Sequence, residues 1–422
     1  MERYREYKDS GIQWLGQIPG HWKTMRGKNL FNKEQRPVQE GDDIVTCFRD
    51  GEVTLRKNRR ISGFTEATDY SHYQHICKGD LVIHQMDAFA GSSGVSDSDG
   101  MGTPVLSVCT SKTDLTNNYY YAHILRLMGW NGYILSLYRG IRERSSDFRF
   151  DTFARLWLPV PPLVEQQAIV SYLDDKCGKI DKMLEGKQKQ IELLAEMKQR
   201  IIADAVTRGL NPNVKMKTTT TNIPWLPEIP EHWECVKLKA FCKENKEKNK
   251  GNIETCVLSL SYGRIIIKKD TNVGLVPTNY ENYQIVNPGN IVLRLTDLQN
   301  DHKSLRTGLV KNHGIITSAY VGLIVNVMSS EYVQFVLHSY DIMKIFYGMG
   351  GGLRQSMNYQ DISNLYIPVP PTVEQRSIVS YINQRSSKID ILTQKLQQEI
   401  ESIKEYKQRL ISDVVTGQIK VC

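Results

Sequence analysis

Several signatures are missing from this sequence, and each absence removes a class of protein. No run of about eighteen apolar residues occurs, so no membrane-spanning helix is expected. The opening Met1-Glu2-Arg3-Tyr4-Arg5 is charged and leads into no apolar stretch, unlike a secretory signal. Eight cysteines stand at 47, 77, 109, 177, 235, 242, 256 and 422, and none forms a Cys-x-x-Cys pair. A zinc ribbon or thioredoxin-like centre therefore has no support, no metal site is expected, and free thiols of a cytoplasmic protein are the reading. Nine histidines supply no His-Glu-x-x-His, and no Gly-x-x-x-x-Gly-Lys-Ser/Thr is present. Metalloprotease and phosphate-loop chemistry fall with them. No carboxylate motif of a nuclease centre occurs either.

What is present is a repeat. At 422 residues the chain suits two to four domains, and its formal net charge is +8. Residues 159–207 begin PVPPLVEQQAIVSYL and residues 368–416 begin PVPPTVEQRSIVSYI; at an offset of 209, 25 of 49 positions are identical. A second block, Ile12-Gln13-Trp14-Leu15 with Ile18-Pro19 and His21-Trp22, recurs as Ile223-Pro224-Trp225-Leu226, Ile229-Pro230 and His232-Trp233. A weaker third pairs Tyr73-Gln74 and Gly79-Asp80-Leu81-Val82 with Tyr283-Gln284 and Gly289-Asn290-Ile291-Val292. The order is a variable head, a repeated helix, a second variable head and the helix again.

The repeated helices carry a heptad seam. Leu173, Ile180, Lys187, Leu194 and Ile201, with Cys177, Leu184, Ile191, Lys198 and Ala205, form it in the first. In the second it is Ile382, Ile389, Leu396, Ile403 and Leu410, with Ser386, Thr393, Ile400, Lys407 and Val414. A seam of about five heptads argues for a coiled coil. Each helix spans about 66 Å at 1.5 Å per residue. With a head between them, an intramolecular antiparallel pair is expected, one head at each end of a rod about a pseudo-two-fold axis. Residues 163–207 hold seven Lys/Arg against eight Asp/Glu, and 372–416 hold seven against six. The whole net charge thus belongs to the heads, linker and termini, where it suits phosphate.

The heads read as mixed α/β, so the fold class is α+β. Strands are expected at Val53 to Lys57, Leu81 to Gln85, Val105 to Cys109, Ile265 to Lys268, Ile291 to Leu295 and Ala319 to Val327. Helices are expected over 118–128 and 331–346, with a polar linker over 211–222.

Together these features resemble the specificity subunits of type I restriction-modification systems, over nearly the full chain. The resemblance is carried by Pro159 to Gln166 and Pro368 to Gln375 at the helix starts, and by the Trp-Leu-x-x-Ile-Pro-x-His-Trp entry to each head. It implies a target-recognition domain over 1–158, a helix over 159–210, linker and second target-recognition domain over 211–367, and the returning helix over 368–422. It implies a non-catalytic subunit in which each head reads one half of a bipartite site in double-stranded DNA. Two modification subunits would bind S-adenosylmethionine and methylate adenine, and restriction subunits would use ATP; this chain would hold no cofactor. The alternative is a stand-alone structural or regulatory DNA-binding protein without a modification partner.

Candidate DNA contacts are Arg142, Arg144, Arg354 and Gln355, in glycine-led segments at equivalent places before the two helix starts, and the basic residues Arg56, Lys57, Arg59, Arg60, Lys268, Lys269, Lys303 and Arg306. For Arg142 and Arg354 an ordinary solvated or salt-bridged arginine is an equal reading. Tyr119, Tyr120 and Tyr121 lie at helical spacing and read as core more than as a stacking platform. Phe346-Tyr347-Gly348-Met349-Gly350 mimics a methyltransferase cofactor loop, but a helix is expected before it and no Asn/Asp-Pro-Pro-Tyr/Phe element exists. A turn is the reading.

If Arg142 and Arg354 each read a base, Arg142→Ala and Arg354→Ala relax opposite halves of one split site, each by about 1–3 kcal/mol. Binding measured on half-site variants checks this, and unchanged half-site preference makes the residue an ordinary surface arginine.

Overall fold

A computed structural model of the chain describes residues 2–63, 69–137, 147–268, 279–298, 305–349 and 356–421. It divides into two compact units, Met1–Lys187 with Gln398–Cys422, and Gln188–Gln397. Each unit holds one head and a length of both long helices.

In the first unit the elements used below are Lys23–Arg26 (β1), Phe31–Glu34 (β2), Leu81–His84 (β3), Ser93–Val95 (β4), Leu106–Ser111 (β5), Asn118–Trp130 (α1) and Trp157–Val160 (β6). Strand β6 leads into Leu163–Arg208 (α2). The second unit has Glu234–Lys237 (β7), Cys242–Glu244 (β8), Ile291–Leu293 (β9), Thr307–Leu309 (β10), Val321–Val325 (β11), Ser330–Ile342 (α3) and Tyr366–Val369 (β12), followed by Thr372–Val415 (α4). The central sheets are antiparallel with matching strand orders, β2-β5-β3-β4 and β8-β11-β9-β10. Strand alternation splits their side chains between two cores. Leu81 and Ile83 face the main core with α1, while Val82 joins a smaller cluster with Val45, Val53 and Ile76. Ile291 and Leu293 face the main core of the second unit, and Val292 joins Leu258, Val286 and Ile316.

Two expectations need correction. The polar segment 211–222 is not a linker throughout: Met216–Ile223 is a strand paired with Leu226–Pro230. Its threonines are β-branched and favour a pleated strand over a helix, and the buried Thr219 hydroxyl donates to the Leu226 carbonyl at 2.9 Å. The helix expected over 331–346 stops at Ile342, because Lys344 takes a left-handed φ of 60° and Ile345–Gly348 forms a separate turn.

Both long helices are continuous, and Gly178 and Gly186 sit inside α2 without interrupting it. Their burial follows the heptad. Leu173, Cys177, Ile180, Leu184, Lys187, Ile191, Leu194, Lys198 and Ile201 are shielded on α2; Ile382, Ser386, Ile389, Thr393, Leu396, Ile400, Ile403, Lys407 and Leu410 are shielded on α4. Lysines enter the seam with acidic partners. Lys407 reaches Asp181 at 2.6 Å and Lys187 reaches Glu399 at 2.5 Å in the first unit; Lys198 reaches Asp390 at 2.7 Å in the second. In the first unit the pairs ascend α2 from Asp181 to Lys187 while descending α4 from Lys407 to Glu399, so the two helices run antiparallel there.

A repeated junction fixes each head to both helices. The Trp22 indole donates to Glu165 Oε2 at 2.8 Å, and His21 Nε2 lies 2.5 Å from Glu165 Oε1. Trp233 donates to Glu374 at 3.0 Å, with His232 Nε2 at 2.8 Å. Each carboxylate sits in the first turn of its helix, where the helix dipole also favours negative charge. The neighbouring glutamine continues the junction. Gln166 accepts from Asn117 N at 2.9 Å and donates to the Pro161 and Leu115 carbonyls; Gln375 accepts from Ser329 N at 3.2 Å and donates to the Pro370 carbonyl. Asn117 and Ser329 are the N-caps of α1 and α3. At the opposite helix end, Tyr120 donates to the Val415 carbonyl and Tyr332 to the Val206 carbonyl. There the chain leaves α4 through Gly417, with φ of 75°; a β-carbon on it would lie 2.5 Å from Pro19 Cδ and 2.9 Å from Trp22 Cη2. Gly209 has the same φ beside Trp233.

Removing one carboxylate leaves a buried indole N–H without its acceptor. Glu374→Ala is expected to lower the stability of the second unit by about 1–3 kcal/mol in urea unfolding, whereas the exposed neighbour Val373→Ala stays within about 0.5 kcal/mol of the parent.

Candidate nucleic-acid interface

The first head presents basic residues on a hairpin built for exposure at one end only. Val45–Cys47 pairs with Val53–Leu55; Val45, Cys47 and Val53 are buried, while the chain beyond Leu55 turns outward as the short 3-10 turn Arg56–Asn58. The strand expected over Val53 to Lys57 is cut there. Residues 42–60 hold five Lys/Arg and four Asp/Glu, so this basic run is a mixed-sign patch. Lys57 is ion-paired with Asp43, and Arg59 bridges Asp50 and Glu52 at 2.7 Å each while lying 4.3 Å over the Phe48 ring. The bond to Asp50 holds the Arg59 pKa above its ordinary value. Arg60 is exposed and curls onto the Ser62 carbonyl at 3.3 Å. Arg56 is half-buried.

In the second head, Lys268 is exposed just after the strand Arg264–Ile267. Arg264 pairs with Asp390, at 3.3 Å. Arg142, Arg144, Lys269, Lys303, Arg354 and Gln355 lie outside the described residues.

Arg306 corrects the sequence reading. It is fully buried, so no phosphate reaches it. Its guanidinium donates to the Thr296 carbonyl at 2.8 Å, to the Arg294 and Asp297 carbonyls at 3.2 Å, and to the Tyr347 hydroxyl at 3.1 Å. The Tyr347 of the glycine-containing segment thus serves to hold this arginine, in a turn that follows helix α3 and not a strand. Nothing in the sequence distinguished Arg306 from a surface arginine, since its acceptors are backbone carbonyls that carry no residue signature.

Among the three tyrosines of α1, Tyr119 is 51% exposed and Tyr120 and Tyr121 are fully buried. The two buried hydroxyls donate to Val415 and Pro159 carbonyls, which assigns them to the junction. Burial disfavours the thiolate at several cysteines. Burial pushes Cys47 and Cys242 up to about 12 and Cys235 up to about 11, and it also raises Cys77 and Cys177. Burial lowers His338 to about 4 and drives His123 down as well, so both stay neutral at physiological pH. Three ligand types of a metal site do meet: His75, Cys77 and Asp99 bring ligand atoms within 4.8 Å of one another.

This geometry defines a class: two heads of one fold, each bound to the start of one long helix and the end of another. Residues 230–402 match the family described as Type I restriction modification DNA specificity domain. The type I restriction enzyme MjaVIII specificity subunit of Methanocaldococcus jannaschii is 25% identical over 95% of this chain and 96% of its own. A chain from a solved type I R-M system shares the fold with a TM-score of 0.69 at 15% identity, covering 95% of this chain and 99% of its own. The HsdS subunit from Thermoanaerobacter tengcongensis has a TM-score of 0.51 at 15% identity, over 95% and 98%. In sequence and in fold the chain is similar to type I restriction-modification specificity subunits.

Arg306 and Lys268 should separate in experiment. Arg306→Ala strips a donor from buried carbonyls and lowers stability by at least about 2 kcal/mol in urea unfolding. Lys268→Ala leaves stability within about 0.5 kcal/mol; if it contacts phosphate, it weakens binding to all sequences alike and reduces the salt slope by about 0.9.

Proposed function

We propose that this chain is the DNA-reading subunit of a cytoplasmic type I restriction-modification complex. Each head takes one half of a bipartite sequence, and the paired helices present a platform for two modification subunits. The observation that carries this reading is the duplicated junction. The same Trp–Glu bond and the same glycine exit recur in both units, while the head surfaces between them differ. A two-part site with unlike halves is the target such a molecule fits. Specificity subunits are a non-catalytic class, and the reading assigns S-adenosylmethionine to the modification subunits and ATP to the restriction subunits, with no cofactor on this chain. The fully assigned ion pairs around Lys57 and Arg59 support a division of labour in which charge steers the heads and other side chains read bases.

Since α2 and α4 each run through both units, their length sets the spacing of the half-sites in this reading. Four residues inserted after Ala195 and four after Lys404, matched positions in the repeat, add about 6 Å of rise and about 40° beyond one full turn. One base pair adds ~3.4 Å and, at ~10.5 base pairs per turn, roughly 34°. Methyl transfer by the variant assembled with its modification subunits should therefore prefer a spacer one base pair longer, with both half-sequences unchanged. The chain alone should transfer no labelled methyl group. An active variant that keeps the parent spacing refutes the ruler, and a chain that binds DNA but never co-purifies with a modification subunit favours the stand-alone reading.

A further inference from the structure

One corner of the two heads is closed by different chemistry at matched positions. In the first head, Gln74–Ile76 pairs antiparallel with Gly100–Gly102, Gln74 facing Gly102 and Ile76 facing Gly100. In the second, Gln284–Val286 pairs with Gly314–Ile316 in the same register, Gln284 facing Ile316 and Val286 facing Gly314. His75 therefore corresponds to Ile285, Cys77 to Asn287, and Asp99 to His313. The second head joins its two strand ends through a histidine side chain. His313 Nδ1 meets Asn287 Oδ1 at 2.7 Å, and His313 Nε2 lies 3.0 Å from Glu254. At the matching place the first head has an imidazole, a thiol and a carboxylate, with ligand atoms within 4.8 Å of one another.

We propose that His75, Cys77 and Asp99 bind one divalent transition-metal ion of the zinc type, which closes this corner of the first head as the His313–Asn287 bond closes it in the second. Thiolate, imidazole and carboxylate form a borderline-soft donor set suited to zinc. Support around the ligands is already in place. His75 is buried, and its Nδ1 lies 2.8 Å from Asp42 Oδ2, a carboxylate–histidine contact that orients the ring and leaves Nε2 to ligate. Asp99 Oδ1 accepts from Lys78 N at 2.8 Å, which leaves Oδ2 for the ion. The Cys77 backbone N–H donates to Asp80 Oδ2 at 2.8 Å, and Asp80 is itself held by Arg36 at 2.5 Å. Asp42, Asp80 and Asp99 thus outweigh the single guanidinium and favour a cation. Cys77 is half-buried and Asp99 exposed, so water has access to complete a tetrahedral shell. The ligands come from the ends of two strands with 21 residues between Cys77 and Asp99, so they carry no Cys-x-x-Cys spacing. The ion would tie the segment carrying Arg36 and Asp42 to the strand pair beneath it, a structural role rather than a catalytic one.

The test titrates the metal-stripped full-length chain with Co²⁺ alone and follows thiolate-to-cobalt charge-transfer absorption. The expected result is one equivalent bound, displaced by Zn²⁺, with the band lost in Cys77→Ser and retained in Cys256→Ser, a cysteine of the second head. Asp42→Asn, which leaves all three ligands in place, is expected to weaken binding about 10–100-fold. No band in the parent chain, a band that survives in a folded Cys77→Ser, or one lost in Cys256→Ser overturns the proposal. Should Cys77→Ser fail to fold, the Asp42→Asn affinity decides, and an unchanged value overturns it.

Discussion

A glutamate in the first turn of a long helix accepts the indole N–H of a tryptophan from the head that precedes that helix, and the remainder of each unit is organised around this bond. Glu165 and Glu374 each satisfy an otherwise buried donor, Trp22 and Trp233, while staying at the helix end where negative charge is favoured. The same indoles pack on the glycine through which the other helix leaves, Gly417 or Gly209. One side-chain pair therefore fixes a head to an entering and a departing helix together. A head joined only by its covalent link would swivel, whereas these contacts hold it in a set orientation to both helices.

Between the junctions the helices bury little. Only two positions in seven are shielded along the middle of each, and Met183, Leu193, Met197, Ile391, Leu392 and Tyr406 remain exposed beside the seam. A narrow seam of this kind leaves register weakly determined by apolar contact alone. The lysines supply that determination. Lys198 and Lys407 occupy equivalent seam positions, bury their stems and place their ammonium groups on Asp390 and Asp181, themselves equivalent residues. A slip by one heptad would leave each of them in the seam without its partner. Lys187 with Glu399 has no counterpart, since Leu396 and Gln190 stand at the matching positions, and it marks where the two halves of the repeat have diverged.

Charge in the heads behaves differently from a count along the chain. The run around Arg56 to Arg60 looks like a phosphate-binding patch in one dimension, yet Asp43, Asp50 and Glu52 fold back on it. Arg306 is withdrawn altogether, in a cage of carbonyls and Tyr347. Basic residues of these heads can serve to hold loops together, and only placement tells which of them do.

The sequence by itself determined the duplication, the helix pair and its seam, because these rest on periodicity and on repeated identities at a constant offset. Heptad spacing encodes which face of a helix is dry, so Leu173 to Ile201 and Ile382 to Leu410 were legible as one seam each. The roles of Glu165, Gln166, Trp22 and Gly417 were visible only as repetition. Apart from the Pro161 carbonyl, their partners lie between 49 and more than 390 residues away along the chain, and hydrogen-bond geometry at such separation has no linear signature. For the same reason the tertiary structure alone decided that Arg306 is internal, that the threonines of 218–221 belong to a strand, and that His75, Cys77 and Asp99 share a corner. Burial and convergence are properties of folded surfaces, and a chain states them only through the partners it brings together.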